Sequence, residues 1–238
     1  MRYFVVIPAA GSGRRFASSL PKQYAALGSS TVIEHALSTF EADPDCAGIM
    51  VAVAPDDSLW PVIAARRSRL IETAEGGAER AHTVRNALRA LTARARPDDW
   101  IMVHDAARPC FSAADLRLLK RDLAPHPVGG LLAVPLADTL KRALEPGAHA
   151  AHVEATIDRN GLWRAATPQV FRCGVLLSAI DAALDLGRTP TDEAQAMEWS
   201  GQRPMLVPGR ADNIKVTTAD DLALASAILS VRAAQEIQ

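Results

Sequence analysis

Short apolar, β-branched runs alternate along the chain with longer stretches whose apolar residues recur every three or four positions. Phe4-Val5-Val6-Ile7, Ile49-Met50-Val51-Ala52-Val53, Trp100-Ile101-Met102-Val103 and Leu131-Leu132-Ala133-Val134 are apolar at successive positions. Parallel strands buried on both faces have this pattern. Between them, Thr31–Phe40, Ser58–Arg69, Glu79–Ala95 and Ala113–Leu123 carry apolar residues near i, i+3, i+4 and i+7, which predicts amphipathic helices. Ser112 suits the N-cap of the last of these, with Asp115 in its first turn. Strand–helix alternation of this kind predicts an α/β fold: a doubly wound, mostly parallel twisted sheet with helices on both faces. Ligands of such sheets bind at the carboxyl ends of the strands.

The pattern breaks after Val134. Residues from Thr139 to Arg159 include Pro146, Gly147, two histidines and a run of alanines, without a clear amphipathic face. This segment is expected to leave the body as an arm or hairpin and return to the sheet. Gly174–Leu186 and Asp192–Trp199 read as helices, Met205–Val207 as a late strand and Ala219–Ala234 as a strong final helix. With no internal repeat, low-complexity tract or clean linker, the expectation is one domain over residues 1–238 with an arm at about 139–159.

Composition narrows the function. The 238 residues carry 26 Lys+Arg against 27 Asp+Glu, a formal net charge of −1, which argues against a protein that coats nucleic acid or an anionic membrane. Aromatic residues make up 5%, too few for base stacking along a single strand as the main activity. The 49% hydrophobic and 22% charged content fits a soluble globular chain. Cys46, Cys110 and Cys173 are scattered, with no Cys-x-x-Cys pair, so neither a disulfide framework nor a zinc site is expected and a reducing, cytoplasmic setting is. No apolar stretch approaches the length of a membrane span.

The chemistry-bearing residues cluster after the predicted strands. The first strand runs into Pro8-Ala9-Ala10-Gly11-Ser12-Gly13-Arg14-Arg15, then Pro21-Lys22-Gln23. Gly11 and Gly13 allow a tight turn whose backbone N–H groups can face phosphate oxygens. The third glycine of a dinucleotide fingerprint is missing, with Phe16 in its place, and there is no P-loop Gly-Lys-Ser/Thr. Arg14, Arg15 and Lys22 instead form a cation set suited to a triphosphate whose leaving group develops negative charge; the plainer reading is a solvated basic loop. His104-Asp105 follows a strand directly, and Asp105 can hold Mg²⁺ there or simply cap a turn. His104 reads as a packed or second-layer histidine, and His149 and His152 sit in an Ala/Gly/Pro arm where a metal role is not expected. Gly76-Gly77-Ala78-Glu79-Arg80 could read a base edge or serve as a glycine turn. Lys215 in Asp212-Asn213-Ile214-Lys215-Val216 adds a cation, and Thr191-Asp192-Glu193 could be an N-cap with first-turn acids.

Taken together, these stretches resemble the 2-C-methyl-D-erythritol 4-phosphate cytidylyltransferases over essentially the whole chain. The resemblance rests on Pro8-Ala9-Ala10-Gly11-Ser12-Gly13-Arg14-Arg15, Pro21-Lys22-Gln23-Tyr24, Asp105-Ala106-Ala107-Arg108-Pro109, Asp138-Thr139, Asp158-Arg159-Asn160-Gly161-Leu162-Trp163, Thr167-Pro168-Gln169, Thr191-Asp192-Glu193 and Asp212-Asn213-Ile214-Lys215-Val216-Thr217. It implies a Rossmann-like nucleotidyltransferase that moves CMP from CTP to a sugar-alcohol phosphate and releases pyrophosphate. Arg15 and Lys22 would stabilise the pentavalent α-phosphate, with Lys215 as a third catalytic cation. Asp105 would hold Mg²⁺, or Mn²⁺ as the alternative. Ala9, Ala10, Gly11, Gly13, Gly77 and Thr83 would bind the nucleotide. Ala106, Arg108, Thr167, Thr191 and Lys215 would hold the second substrate, with Thr139 and Arg159 supplied by the other subunit of a homodimer. Two positions depart from the family pattern: Ala78, where relatives often carry aspartate, and Thr83, where many have serine. Base contacts at Ala78 must then come from the backbone. The related ribitol 5-phosphate cytidylyltransferases are the nearest alternative. A dinucleotide oxidoreductase or a non-catalytic nucleotide-binding protein is opposed by the missing glycine and by the retained cations. A phosphate-monoester nucleophile with a second pKa of about 6 needs no general base, in keeping with motifs that offer cations and a carboxylate but no His/carboxylate dyad.

Overall fold

In the computed structural model, which describes residues 1–11, 20–147 and 149–236, the chain forms β1 (Tyr3–Pro8), a 3₁₀ turn (Lys22–Tyr24), β2 (Ala26–Leu27), β3 (Ser30–Thr31), α1 (Val32–Glu41), β4 (Cys46–Val53) and α2 (Trp60–Ala64). There follow β5 (Ile71–Glu75), α3 (Arg80–Leu91), β6 (Trp100–Val103), α4 (Ala113–Leu123), β7 (Gly129–Pro135), β8 (Leu140–Ala143) and β9 (Val153–Ile157). β10 (Trp163–Arg172), α5 (Cys173–Asp185), α6 (Glu193–Trp199), β11 (Met205–Pro208) and α7 (Ala219–Glu236) complete the order. Seven strands make one sheet in the order β11-β7-β10-β6-β1-β4-β5. β6, β1, β4 and β5 run parallel to one another and β7 runs parallel to β11, while β10 is antiparallel to both β6 and β7.

The continuous apolar runs are explained by helices on both faces. Along β1, Tyr3, Val5 and Ile7 enter one core with α1, α2 and α4, through Ile33, Leu37, Phe40, Trp60, Ile63, Leu116 and Leu119. Phe4 and Val6 enter the other, with Val84, Leu88 and Leu91 of α3 and Leu176 and Ile180 of α5. Successive side chains of a strand point to opposite faces, so only a sheet covered on both sides demands this sequence. Local signals set the helix starts. Thr31 and Glu34 form a capping box at α1, and the hydroxyl of Ser112 accepts the Asp115 N–H at α4; each such cap contributes about 1 kcal/mol.

The helix after β4 and the strand β10 differ from expectation. The helix predicted over Ser58–Arg69 shortens to α2, placed by Asp57, whose Oδ1 accepts the N–H groups of Leu59 at 3.0 Å and Trp60 at 2.9 Å. β10 was not evident because Pro168 interrupts it: the ladder with β7 breaks between Ala165 and Gln169. The segment from Thr139 to Arg159, expected to leave the body as an arm or hairpin, contains the antiparallel ribbon β8–β9, which among the described residues forms a sheet of its own. Leu144 and Val153 of this stretch are 60% and 62% exposed.

Candidate active site

The carboxyl ends of β1, β5 and β6 open on a common cavity lined by Pro8–Gly11, Lys22, Gln23, Gly77–Arg80, Thr83, Asp105–Ala107 and Lys215. The turn after β1 is held from two sides. Ala9 N–H donates to Ala52 O at 2.7 Å, and the Gln23 side-chain amide donates to the carbonyls of Ala9 at 2.8 Å and Gly11 at 3.4 Å. Gln23 thereby ties the turn to the short helix that carries Lys22. Gly13, Arg14 and Arg15 lie outside the described residues.

The opposite wall is the β5–α3 turn. Gly76 N–H donates to Val53 O at 2.7 Å, and a Cβ at Gly76 would lie 2.3 Å from the Cβ of Ala10. At Gly77 it would lie 2.5 Å from the His82 Cβ. Neither glycine has a positive φ, so this pair is required by space rather than by a left-handed turn. Thr83 is buried; its Oγ1 accepts Gly77 N–H at 3.0 Å and donates to Glu79 O at 3.1 Å. The hydroxyl holds the turn in shape and leaves backbone groups to meet a base edge.

The floor is the end of β6. Asp105 Oδ1 meets Arg80 Nε at 3.2 Å, while Oδ2 meets Lys215 Nζ at 2.9 Å and Arg108 Nε at 3.5 Å. Burial alone would raise the Asp105 carboxyl, but Arg80, Lys215 and Arg108 outweigh it and hold the group well below the usual carboxylate range. Lys215 is delivered by the loop before α7, which docks through Val216 N–H on Ala107 O at 2.8 Å and through Arg108 Nη1 on Asn213 O at 2.8 Å. Asn213 Nδ2 in turn donates to Thr167 O at 2.9 Å.

The expected second-substrate residues divide into three groups. Ala106 and Lys215 line the cavity, and Arg108 joins it through Asp105. Thr167 is buried behind it, its hydroxyl engaged by Asp105 N–H and His104. Thr191 is exposed, two residues before the buried Glu193 that clamps Arg80. Thr139 and Arg159 are exposed at the feet of the β8–β9 ribbon, with Arg159 Nη1 donating to Ala137 O, and neither lines the cavity. Arg80 and Glu193 were not singled out from sequence as site residues. Both stand in stretches singled out from sequence, Arg80 at the end of Gly76–Arg80 and Glu193 at the end of Thr191–Glu193, but nothing local assigns them to one another.

Among the described residues, no group of three or more His, Cys, Asp or Glu could hold a metal ion. A Mg²⁺ ion that arrives on a triphosphate needs only one or two protein carboxylates, and Asp105 has an oxygen shared with the 39%-exposed Lys215. Both Asp105 oxygens are engaged by cations, Oδ1 by Arg80 and Oδ2 by Lys215 and Arg108, so a metal brought by phosphate oxygens would reach the carboxylate by displacing the half-exposed Lys215.

A glycine-bearing turn, converging cations and one carboxylate at the strand ends of a doubly wound sheet define the class: this is a nucleotidyltransferase. The particular family follows from likeness to known proteins. The sequence model of the 2-C-methyl-D-erythritol 4-phosphate cytidylyltransferases matches residues 3–231. The enzymes of that name from Pseudomonas fluorescens and Pseudomonas aeruginosa are each 51% identical over 221 residues, 92% of this chain and 92% and 93% of theirs. A crystal structure of a 4-diphosphocytidyl-2C-methyl-D-erythritol synthase superposes with a TM-score of 0.83 at 39% identity, covering 96% of this chain and 99% of that one. The Francisella tularensis 2-C-methyl-D-erythritol 4-phosphate cytidylyltransferase gives 0.80 at 35%, covering 96% and 100%. The chain belongs to the 2-C-methyl-D-erythritol 4-phosphate cytidylyltransferase family.

Proposed function

We propose that this chain carries out its family's reaction, transfer of CMP from CTP to 2-C-methyl-D-erythritol 4-phosphate with release of pyrophosphate, with the following division of labour. The observation that supports it most is the convergence of Lys215, Arg108 and Arg80 on Asp105, at the floor of a cavity whose walls are the Ala9–Gly11 turn and the Gly77–Thr83 turn. The base lies between these walls. The carbonyls there accept from the exocyclic amine of cytosine and would repel the carbonyl oxygen that uracil puts in its place. Lys22 and Arg15 meet the charge that develops on the α-phosphate and the leaving pyrophosphate. Lys215 and Arg108 hold the acceptor phosphate, whose oxygen is the nucleophile and needs no base. Asp105 would hold Mg²⁺, which would supply charge neutralisation for the phosphates.

We further propose a homodimer in which Thr139 and Arg159, at the feet of the β8–β9 ribbon, complete the acceptor site of the partner. The ribbon's exposed Leu144 and Val153 and the absence of both residues from the cavity lining of their own subunit support this reading. Three free, buried cysteines favour a reducing compartment, the cytoplasm; no helix among the described residues is long and apolar enough to cross a membrane. Pyrophosphate release, measured with each of the four nucleoside triphosphates against methylerythritol phosphate and ribitol phosphate, tests the assignment. CTP with methylerythritol phosphate is expected to be fastest, and preference for ribitol phosphate would move the chain to the neighbouring activity.

A further inference from the structure

Arg80 opens α3, and its guanidinium reaches two carboxylates on two other elements. Nη1 and Nη2 donate to the two oxygens of Glu193 at 2.7 and 3.0 Å, and Nε donates to Asp105 Oδ1 at 3.2 Å. Glu193, the first residue of α6, has a side chain only 2% exposed, whereas that of Arg80 is 28% exposed at the cavity edge. A two-pronged guanidinium–carboxylate pair is directional as well as strong, and removing Arg80 would leave the buried Glu193 carboxylate without a partner for its charge. With Oδ1 of Asp105 taken by Arg80, Oδ2 is the oxygen left to Lys215 and Arg108. The cluster holds three cations (Arg80, Arg108, Lys215) against two carboxylates (Asp105, Glu193), which leaves one positive charge for a phosphate. Without Arg80 the remaining two cations and two carboxylates would cancel.

We propose that Arg80, clamped by Glu193, is a positioning residue for the acceptor: it aims Asp105 so that Lys215 and Arg108 are presented to the acceptor phosphate. It also fixes α3, which follows the nucleotide-side turn, against α6, so that Asp105 is held in one register with the nucleotide wall. Misplacing a reacting group by about 1 Å can cost on the order of 100-fold in rate, so a clamp at this distance from the chemistry has a measurable effect. The inference rests on the assignment of Lys215 and Arg108 to the acceptor phosphate.

The test is steady-state kinetics with both substrates, below the unfolding transition of each variant, for Glu193→Gln, Arg80→Lys, Arg80→Ala, Asp105→Asn, Arg80→Ala/Asp105→Asn and Lys215→Ala. Glu193→Gln removes a charge that substrate does not reach. It should lower kcat/KM for the acceptor by about 10- to 100-fold while KM for CTP stays within about twofold, because uniform nucleotide binding is untouched. Arg80→Lys should rescue little of the Arg80→Ala loss, since one ammonium cannot span both carboxylates. The double variant should be no worse than its poorer parent, as expected of residues acting as a unit. Wild-type kinetics in Glu193→Gln, multiplying losses in the double variant, or a loss expressed in CTP KM would overturn the proposal. If Arg80→Ala fails to fold, Arg80→Lys and Glu193→Gln carry the test. Full turnover in Lys215→Ala would instead remove the acceptor-site assignment itself.

Discussion

Thr167, in the interrupted middle of β10, accepts the backbone N–H of Asp105 at 3.0 Å, across 62 residues of sequence. The same hydroxyl lies 3.1 Å from His104 Nδ1, and His104 Nε2 lies 3.1 Å from Arg108 O. A carbonyl only accepts, so Nε2 carries the ring proton, Nδ1 is the lone-pair nitrogen, and the threonine O–H donates to it. The chain of bonds fixes the backbone at Asp105 and Arg108, the two residues that flank the Ala106-Ala107 floor. Thr167→Val keeps the shape but leaves a buried N–H and a buried ring nitrogen unpaired, at a cost of about 1–3 kcal/mol. Urea unfolding should show that loss together with lower turnover, and Thr167→Ser should restore most of both. An unchanged unfolding midpoint in Thr167→Val would show that the hydroxyl is not the link.

The same network makes stability depend on pH. Burial pushes the His104 imidazole down from 6.5 to about 4, partly offset by the neighbouring Asp105. Between these values the unfolded chain binds a proton that the folded chain does not, so stability falls as pH drops through this window. The penalty is absent above pH 6.5 and complete below about 4. From pH 7 to pH 5 the loss from this group is about 2 kcal/mol. Urea unfolding of the metal-free protein at the two pH values should show it, and His104→Gln, which cannot titrate, should be flatter by that amount. Equal slopes would mean that His104 titrates alike in both states.

Nucleotide selectivity should depend on the approach of the two cavity walls. A methyl group at Gly76 would sit 2.3 Å from the Ala10 Cβ and 3.1 Å from Val53 O, so Gly76→Ala must displace one wall. The expected result is a CTP KM raised roughly 10-fold or more, with the fold intact by circular dichroism. A Gly76→Ala enzyme with unchanged CTP affinity would separate the wall spacing from base recognition.

Much of the fold and part of the site were legible in the sequence, for identifiable reasons. β1, β4, β6 and β7 are covered on both faces, and their unbroken apolar runs say so. β5 reads Ile-Glu-Thr-Ala-Glu because it is an edge strand with half-exposed faces, so only its place before the Gly76-Gly77 turn marks it as a strand. β10 was hidden by Pro168, which lies where its ladder breaks. In the site, Lys22, Asp105 and Lys215 stand in motifs whose residue types suit phosphate chemistry. The Arg80–Glu193 pair spans 113 positions, and no local pattern marks an arginine at one helix start as the partner of a glutamate at another.

Lys22 tests the transition-state role of the cations. If it meets charge that develops only during transfer, Lys22→Ala should lower kcat by roughly 100-fold or more. CTP binding measured by titration should weaken far less, since interactions made mainly in the transition state appear in kcat. Near-normal turnover would remove Lys22 from the reaction.

The ribbon offers a test of shared sites. Arg159 is exposed at its foot and absent from the cavity lining of its own subunit, and an isolated two-stranded ribbon is marginal in water unless something covers it. Exchange across a two-fold axis would give the ribbon a partner and bring Arg159, a permanently charged fork suited to phosphate, to the second site. An Arg159→Ala chain and a Lys22→Ala chain, each nearly inactive alone, can be mixed and allowed to exchange subunits. If Arg159 acts in trans, each mixed dimer holds one site with both lesions and one intact site. Random mixing of equal amounts makes about half of the dimers mixed, so activity should recover to roughly a quarter of wild type. If Arg159 acts within its own subunit, every site carries one lesion and activity stays at the level of the parents. A mixture that remains inactive while mass spectrometry shows mixed dimers therefore rejects the shared site and leaves Arg159 to its contact with Ala137 O.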